Sequence, residues 1–174
     1  MVIRSKQKLN RSNYKPFNIV LVEPEIPPNT GNIARLCAAT STRLHLVHPL
    51  GFDITDKHLK RAGLDYWHLL DIKEYDNWEQ FVHSASSSNF HFFSTRGEKN
   101  IWEVEFNPGD FLIFGSETRG LSENILNENK DFVVSIPMNG LTRSINLSTA
   151  VGIALYEALR QVTIEKNIYN IVPN

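Results

Sequence analysis

Three short segments of the chain combine amide, hydroxyl, carboxylate and guanidinium side chains with glycine. They are PPNTGNIAR at residues 27–35, FGSETRGL at residues 114–121 and IPMNGLTRSINLS at residues 136–148. Glycine lets a backbone approach a ligand closely, and short polar side chains offer hydrogen bonds around it. If the fold brings these segments together, they would suit an adenosine-bearing cofactor beside a bound phosphate.

The first segment predicts an arginine outside the core. A helix over residues 30–41 would turn one face toward a sheet, because residues three and four apart share a face. That face consists of Ile33, Leu36, Cys37 and Thr40. Arg35 projects about 150° from its centre, and Asn32 lies near Arg35 along the helix. With the N–H groups of the first turn, this pattern favours phosphate binding. A solvated arginine, with Asn29 or Thr30 as N-cap, is the alternative.

The second segment follows the dense apolar run at residues 111–115, which predicts a buried strand. Ligands of parallel sheets bind at the carboxyl ends of strands, so Glu117 and Arg119 are expected in a polar site. A glycine-containing turn with a surface Glu-Arg pair explains the same residues.

The third segment follows another apolar run, at residues 132–137, and leads into the last predicted helix. Ser144, Asn146 and Ser148 place three short hydrogen-bonding side chains around one loop at a strand end. Asn146 is also a natural N-cap, and that structural role alone could explain it.

The composition excludes several other functional classes. Cys37 is the only cysteine, which excludes an intramolecular disulfide framework and a CxxC zinc site and favours a reducing, cytoplasmic location. Its predicted core-facing position makes it a poor nucleophile. The patterns GxGxxG after the first strand, GxxxxGK[ST], GxSxG and HExxH are all missing. No apolar run approaches the ~18 residues of a membrane helix.

The formal net charge of −1 is distributed unevenly. Residues 1–16 hold five bases and no acid, so the remaining thirteen bases and nineteen acids give residues 17–174 a net charge of −6. The total charge therefore gives no argument for nucleic-acid binding, and any basic surface must be local.

Apolar runs alternate with helical patterns along the chain. The predicted strands are Asn18–Glu23, Leu44–His48, Leu69–Tyr75, Phe90–Thr95, Phe111–Gly115 and Phe132–Pro137. The predicted helices cover about residues 30–41, 57–62, 77–85 and 146–162, and Asp76 and Glu79 have the spacing of a capping box. This alternation predicts an α/β fold, with a mostly parallel sheet and helices on both faces.

The last predicted helix carries more apolar surface than one core face needs. Its core stripe comprises Leu147, Val151, Ala154, Leu155, Ala158 and Val162. Ile153 and Tyr156 lie outside that stripe. Either the helix is fully buried in a monomer, or it is shared between the sheet and a second subunit.

Taken in order, the sequences NTGNIAR, FGSETRGL and IPM followed by RSINLSTAV resemble the three motifs of the SPOUT RNA 2′-O-methyltransferases. The likeness is greatest to the small branch that acts on the tRNA wobble nucleotide, cytidine or modified uridine, and it covers about residues 17–162. It implies a C-terminal deep trefoil knot, S-adenosylmethionine as cofactor, no metal, and a homodimer with active sites at the interface. Residues 1–16 and 163–174 are then a basic N-terminal tail and a C-terminal tail.

The resemblance also implies roles for individual residues. The residues that would contact the cofactor are Phe93, Gly115, Ile136, Leu141 and Ser144. The methyl group and target ribose would be surrounded by Asn29, Arg35, Glu117, Ser144 and Asn146. Bases along the path of a tRNA anticodon loop would be Lys57, Lys60, Arg61, Arg119 and Arg143. Alternatives are a methyltransferase for another tRNA or rRNA position, an inert RNA-binding relative, and a flavodoxin-like nucleotide-binding domain.

Overall fold

A computed structural model describes residues 17–53, 70–85 and 89–162 of the chain. Within these residues, seven strands form one parallel sheet in the spatial order β3-β2-β1-β6-β4-β7-β5. The strands are β1 (Asn18–Val22), β2 (Arg43–Val47), β3 (Ile72–Tyr75), β4 (Phe90–Phe93), β5 (Lys99–Asn100), β6 (Phe111–Phe114) and β7 (Val133–Ser135). The helices are α1 (Pro27–Thr40), α2 (Trp78–Ser84), α3 (Glu123–Glu128) and α4 (Leu147–Arg160).

Alternating strand residues build a core on each face of the sheet. In β1, Ile19 and Leu21 join α1 and α4 in one cluster, whereas Val20 and Val22 join α2 and α3 in the other. All five residues of β1 are buried, as expected for a strand covered on both sides. The predicted mostly parallel sheet with helices on both faces is confirmed.

The first helix begins at Pro27, three residues before its predicted start. Proline suits the first helical position because its φ is already helical and its missing N–H is not needed there. The N-cap is Ile26, whose side chain makes no capping hydrogen bond. Asn29 and Thr30 are therefore buried inside the helix, and the alternative that made either of them the N-cap is wrong.

The six predicted strands are present, and their ends differ from the predicted ones by at most three residues. Helix α2 is capped by Asn77, which accepts a hydrogen bond from the N–H of Gln80. The capping box predicted for Asp76 and Glu79 is therefore wrong. The sequence interpretation missed α3 and the two-residue strand β5. The helix predicted over residues 57–62 lies outside the described residues.

Helix α4 confirms its predicted cap and core face. Asn146 Oδ1 accepts hydrogen bonds from the N–H groups of Ser148 and Thr149, and the predicted stripe belongs to the core. Ile153 and Tyr156 are 41% and 52% exposed, so the helix is not buried on all sides within this chain. The knot and the second subunit stay predictions.

Among residues 17–53, 70–85 and 89–162, no helix is long and apolar enough to cross a membrane. The same part of the chain contains no cluster of His, Cys, Asp and Glu side chains that could hold a metal ion.

Candidate active site

A cavity of about 780 Å³ opens at the carboxyl ends of β4, β6 and β7. Phe93 and Phe114, the last residues of β4 and β6, line it and stack with their ring centroids 4.7 Å apart. Further apolar lining comes from Leu121, Leu126, Val134, Ile136 and Met138. This edge of a parallel sheet is where ligands of such folds bind.

The cavity collects predicted site residues from all three motif segments. Its lining includes Asn29, Phe93, Gly115, Glu117, Arg119, Ile136, Arg143, Ser144 and Asn146. Leu141 is 85% exposed and does not line the cavity. Arg35 is exposed on α1, as predicted, and also does not line it. Lys57, Lys60 and Arg61 lie outside the described residues.

The carboxylate of Glu117 caps the start of α1. Its Oε2 accepts a hydrogen bond from the N–H of Glu25 at 2.7 Å, and its Oε1 accepts one from the N–H of Ile26 at 3.2 Å. The side chain of Asn29 donates to the same Oε1 at 2.9 Å. A negative charge at a helix N-terminus is also favoured by the helix dipole. Glu117 therefore provides the cap that the sequence next to α1 does not.

Asn29 joins this cap to the third segment. Its Oδ1 accepts a hydrogen bond from Asn146 Nδ2 at 2.9 Å, while its own amide donates to Glu117. Asn146 in turn caps α4 through its Oδ1. One chain of hydrogen bonds, Glu117–Asn29–Asn146, thus connects the three motif segments, and its central member is only 5% exposed.

The turn that carries Glu117 requires glycine. A Cβ on Gly115 would lie 2.0 Å from the carbonyl carbon of Gly120, far inside contact distance. Gly120 has φ +69°, in the left-handed region that favours glycine. The N–H of Gly120 donates to the carbonyl of Ser116 at 2.9 Å and closes the turn.

Two clusters of ion pairs at this edge carried no recognisable sequence signal. Arg119 was predicted to contact RNA, yet its Nη2 lies 3.2 Å from Glu23 Oε2 and 3.6 Å from Glu25 Oε1. Arg96 and Glu123 line the cavity and form an ion pair with each other. The partners in both clusters are far apart in sequence, so no local pattern could reveal them.

Cys37 is fully buried on α1, and burial raises the pKa of its thiol above the ordinary value. The neutral thiol is a poor nucleophile. Its predicted core-facing position is therefore confirmed.

The cavity fits an adenosyl group with an attached amino acid. Its volume lies within the roughly 300–1,000 Å³ of small-molecule sites. Ile136 and Met138 are only partly buried and offer apolar surface to a purine, while Ser116 and Ser144 add hydroxyl groups to the lining. The residues present therefore match the cofactor that the resemblance implies.

Comparison with known proteins decides the family. The model of the SpoU rRNA Methylase family matches residues 16–156. The chain belongs to the SpoU methylase family. This result confirms the relationship inferred from the three motifs, and the family's solved structures have the fold described above.

A tRNA (cytidine(34)-2'-O)-methyltransferase of Saccharophagus degradans is 50% identical to the chain over 147 residues, which is 84% of this chain and 96% of the relative. A solved structure concerned with the 2-OH methylation of C/U34 on tRNA has a TM-score of 0.81 and 46% identity, and covers 84% of this chain and 96% of its own. The SpoU methyltransferase AviRb from Streptomyces viridochromogenes, solved with AdoMet, has a TM-score of 0.76 at 24% identity. That match covers 86% of this chain and 59% of AviRb, and supports the fold alone.

Proposed function

We propose that the chain transfers a methyl group from S-adenosylmethionine to the ribose 2′-hydroxyl of the tRNA wobble nucleotide, a cytidine or modified uridine at position 34. The observation that carries this proposal is the chain of hydrogen bonds Glu117–Asn29–Asn146 beside a cavity of adenosyl size. The relative at 50% identity and the structure at 46% identity support tRNA, rather than rRNA, as the substrate class. An inert RNA-binding relative is less well supported, because the motif residues are all present.

S-adenosylmethionine supplies an electrophilic methyl group on a sulfonium when it is bound. The chain must then align the ribose oxygen, and such orientation can contribute several kcal/mol, about 7–11 in favourable cases. Ser144 lines the cavity with an exposed hydroxyl, so it can hold the ribose directly. Asn29, Glu117 and Asn146 fix the loops around it.

Arg35 binds phosphate in this mechanism. A guanidinium stays protonated in proteins, so Arg35 cannot act as the general base. It clamps the phosphate next to the target ribose and stabilises the negative charge that develops on the 2′-oxygen. A phosphate oxygen or a water molecule then takes the proton.

The active unit in this proposal is a homodimer with sites at the interface. Arg35 does not line the cavity of its own chain, while Ile153 and Tyr156 leave apolar surface exposed on α4. Helices α1 and α4 pack on the same face of the sheet. A second copy bound across this face would allow Arg35 of one chain to reach the cavity of the other.

The proposed substrate segment is the anticodon loop, because proteins recognise RNA sequence mainly in unpaired loops. Arg143 and Arg119 line the cavity and would contact the loop there. Lys57, Lys60 and Arg61 are proposed as further contacts. The basic residues 1–16 would add nonspecific affinity. A cytoplasmic location follows from this substrate.

Methyl transfer to a tRNA transcript, with the modified ribose mapped, tests the proposal. Arg35→Ala should abolish transfer and leave cofactor affinity, measured by calorimetry, unchanged. Lys130→Ala is the matched control, since Lys130 is an exposed base at the amino end of β7, away from the cavity. A fully active Arg35→Ala variant would remove this residue from the mechanism.

Mixed dimers test where Arg35 acts. Combining Arg35→Ala chains with Asn146→Ala chains should restore up to about a quarter of the wild-type rate, because half of the dimers are mixed and each contains one intact composite site. If Arg35 acts in its own chain, the mixture stays inactive.

A further inference from the structure

Two loops that are more than 90 residues apart exchange hydrogen bonds in both directions. The carboxylate of Glu25, in the β1–α1 loop, accepts from the hydroxyl of Thr118 at 2.6 Å and from its N–H at 3.2 Å. The N–H of Glu25 donates in the opposite direction to Glu117 at 2.7 Å. Arg119 adds ion pairs to Glu25 and Glu23. The turn is thus held at Glu117 and at the two residues that follow it.

A third loop, which follows β2, contacts the backbone at Pro24 and Glu25. The N–H of Gly51 donates to the carbonyl of Pro24 at 2.9 Å. A Cβ on Gly51 would lie 2.7 Å from Glu25 Cα, so the two backbones are in direct contact. Glu23 adopts φ +52°, in the left-handed region that is strained for a residue with a side chain. These contacts leave Glu25 little freedom to move independently of the loop after β2.

We infer that Glu25 is a positioning residue for methyl transfer, which acts by holding Glu117 and the turn at residues 116–120 against the start of α1. Glu25 does not itself line the cavity. Without its carboxylate, Thr118 loses its partner in the β1–α1 loop, Arg119 keeps only Glu23 there, and the cap on α1 loses its orientation. This inference rests on the proposed function, which gives the cap its role in alignment.

Three variants test the inference through kcat and KM for tRNA. Glu25→Ala should lower kcat about 10–100-fold, since a displacement of about 1 Å can cost about 10²-fold in rate, and should change KM less than threefold. Glu25→Gln keeps an oxygen that accepts from Thr118 and should recover most of the loss. Thr118→Val should lower kcat in the same way and add little in combination with Glu25→Ala. Glu79→Ala, which removes an exposed carboxylate from α2, is the control.

Hydrogen exchange provides a readout that does not need activity. In Glu25→Ala, the amides of residues 25, 26, 29 and 30 and of residues 116–120 should exchange faster, whereas those of β2 should not. Unchanged exchange, or an unchanged kcat in a less stable variant, overturns the inference. A change confined to KM and its salt dependence also overturns the inference, because such a change would show that these side chains bind RNA. If the wild-type chain transfers no methyl group to tRNA, the proposed function fails, while exchange still reports whether Glu25 holds the two loops together.

Discussion

The contact between Asn29 and Glu117 predicts a change in stability that depends on pH. Asn29 is 5% exposed, and its Nδ2 donates to Glu117 Oε1 at 2.9 Å. The substitution Asn29→Asp replaces this donor with an acceptor of nearly the same shape and places two carboxylates side by side. Two unit charges about 4 Å apart repel by roughly 4 kcal/mol at an effective dielectric constant of about 20.

A shared proton relieves this repulsion. Two carboxylates in one site keep a proton to higher pH than either does in the unfolded chain, where both lose theirs near pH 4. Above about pH 4 the folded variant therefore holds more protons than the unfolded one, and its stability falls as the pH rises. Relative to wild type, the free energy of unfolding should be about 4 kcal/mol lower at pH 8, with a deficit that shrinks toward pH 5.

Urea unfolding of both proteins between pH 5 and pH 8 measures this deficit. A deficit that is absent, or that stays constant with pH, refutes a direct contact between the two side chains. The double substitution Asn29→Asp with Glu117→Gln is the internal control, because it restores one donor and removes one charge. It should recover most of the pH-dependent loss, though not all, since the N–H of Ile26 donates to the same oxygen of Glu117.

Two further predictions concern the core and the cavity. Burial, with Arg43 and Lys73 nearby, lowers the pKa of His45 to about 3, so the unfolded chain binds more protons between about pH 3 and 6.5. The free energy of unfolding of the wild type should fall by up to about 1.4 kcal/mol per pH unit as the pH drops through that window. Urea unfolding of His45→Gln should show a weaker dependence of this free energy on pH. The same dependence in both proteins would contradict a buried neutral imidazole. Gly115→Ala should weaken cofactor binding, measured by calorimetry, at least tenfold, because the new Cβ would lie 2.0 Å from Gly120. An unchanged affinity would show that the turn does not shape the cavity.

The sheet could be predicted from sequence because its signals are local. The apolar run Phe111–Phe114 is buried on both faces and needs no partner to be recognised. Asn146 likewise caps the helix that follows it directly. The two-residue strand β5 has too few residues for any pattern, and only its pairing with β7 defines it.

The start of α1 could not be predicted, because its cap comes from a distant residue. Local rules require a capping side chain beside the helix, and they therefore favoured Asn29 or Thr30. The side chain that meets this need is Glu117, about 90 positions away along the chain. The proline pair then occupies the first turn, and Asn29 moves inward, where it links Glu117 to Asn146.

This arrangement divides the predicted site residues into two groups. The side chain of Asn29 uses both its donor and its acceptor inside the protein, and Glu117 accepts three hydrogen bonds from the start of α1. Such engaged groups hold a geometry more readily than they contact a substrate. Ser144, on the loop before α4, and Arg35, on α1, are exposed. The network holds both of these elements in place. In the proposed mechanism this network therefore positions the site, and Ser144 and Arg35 contact the RNA, so both groups of motif residues are needed together.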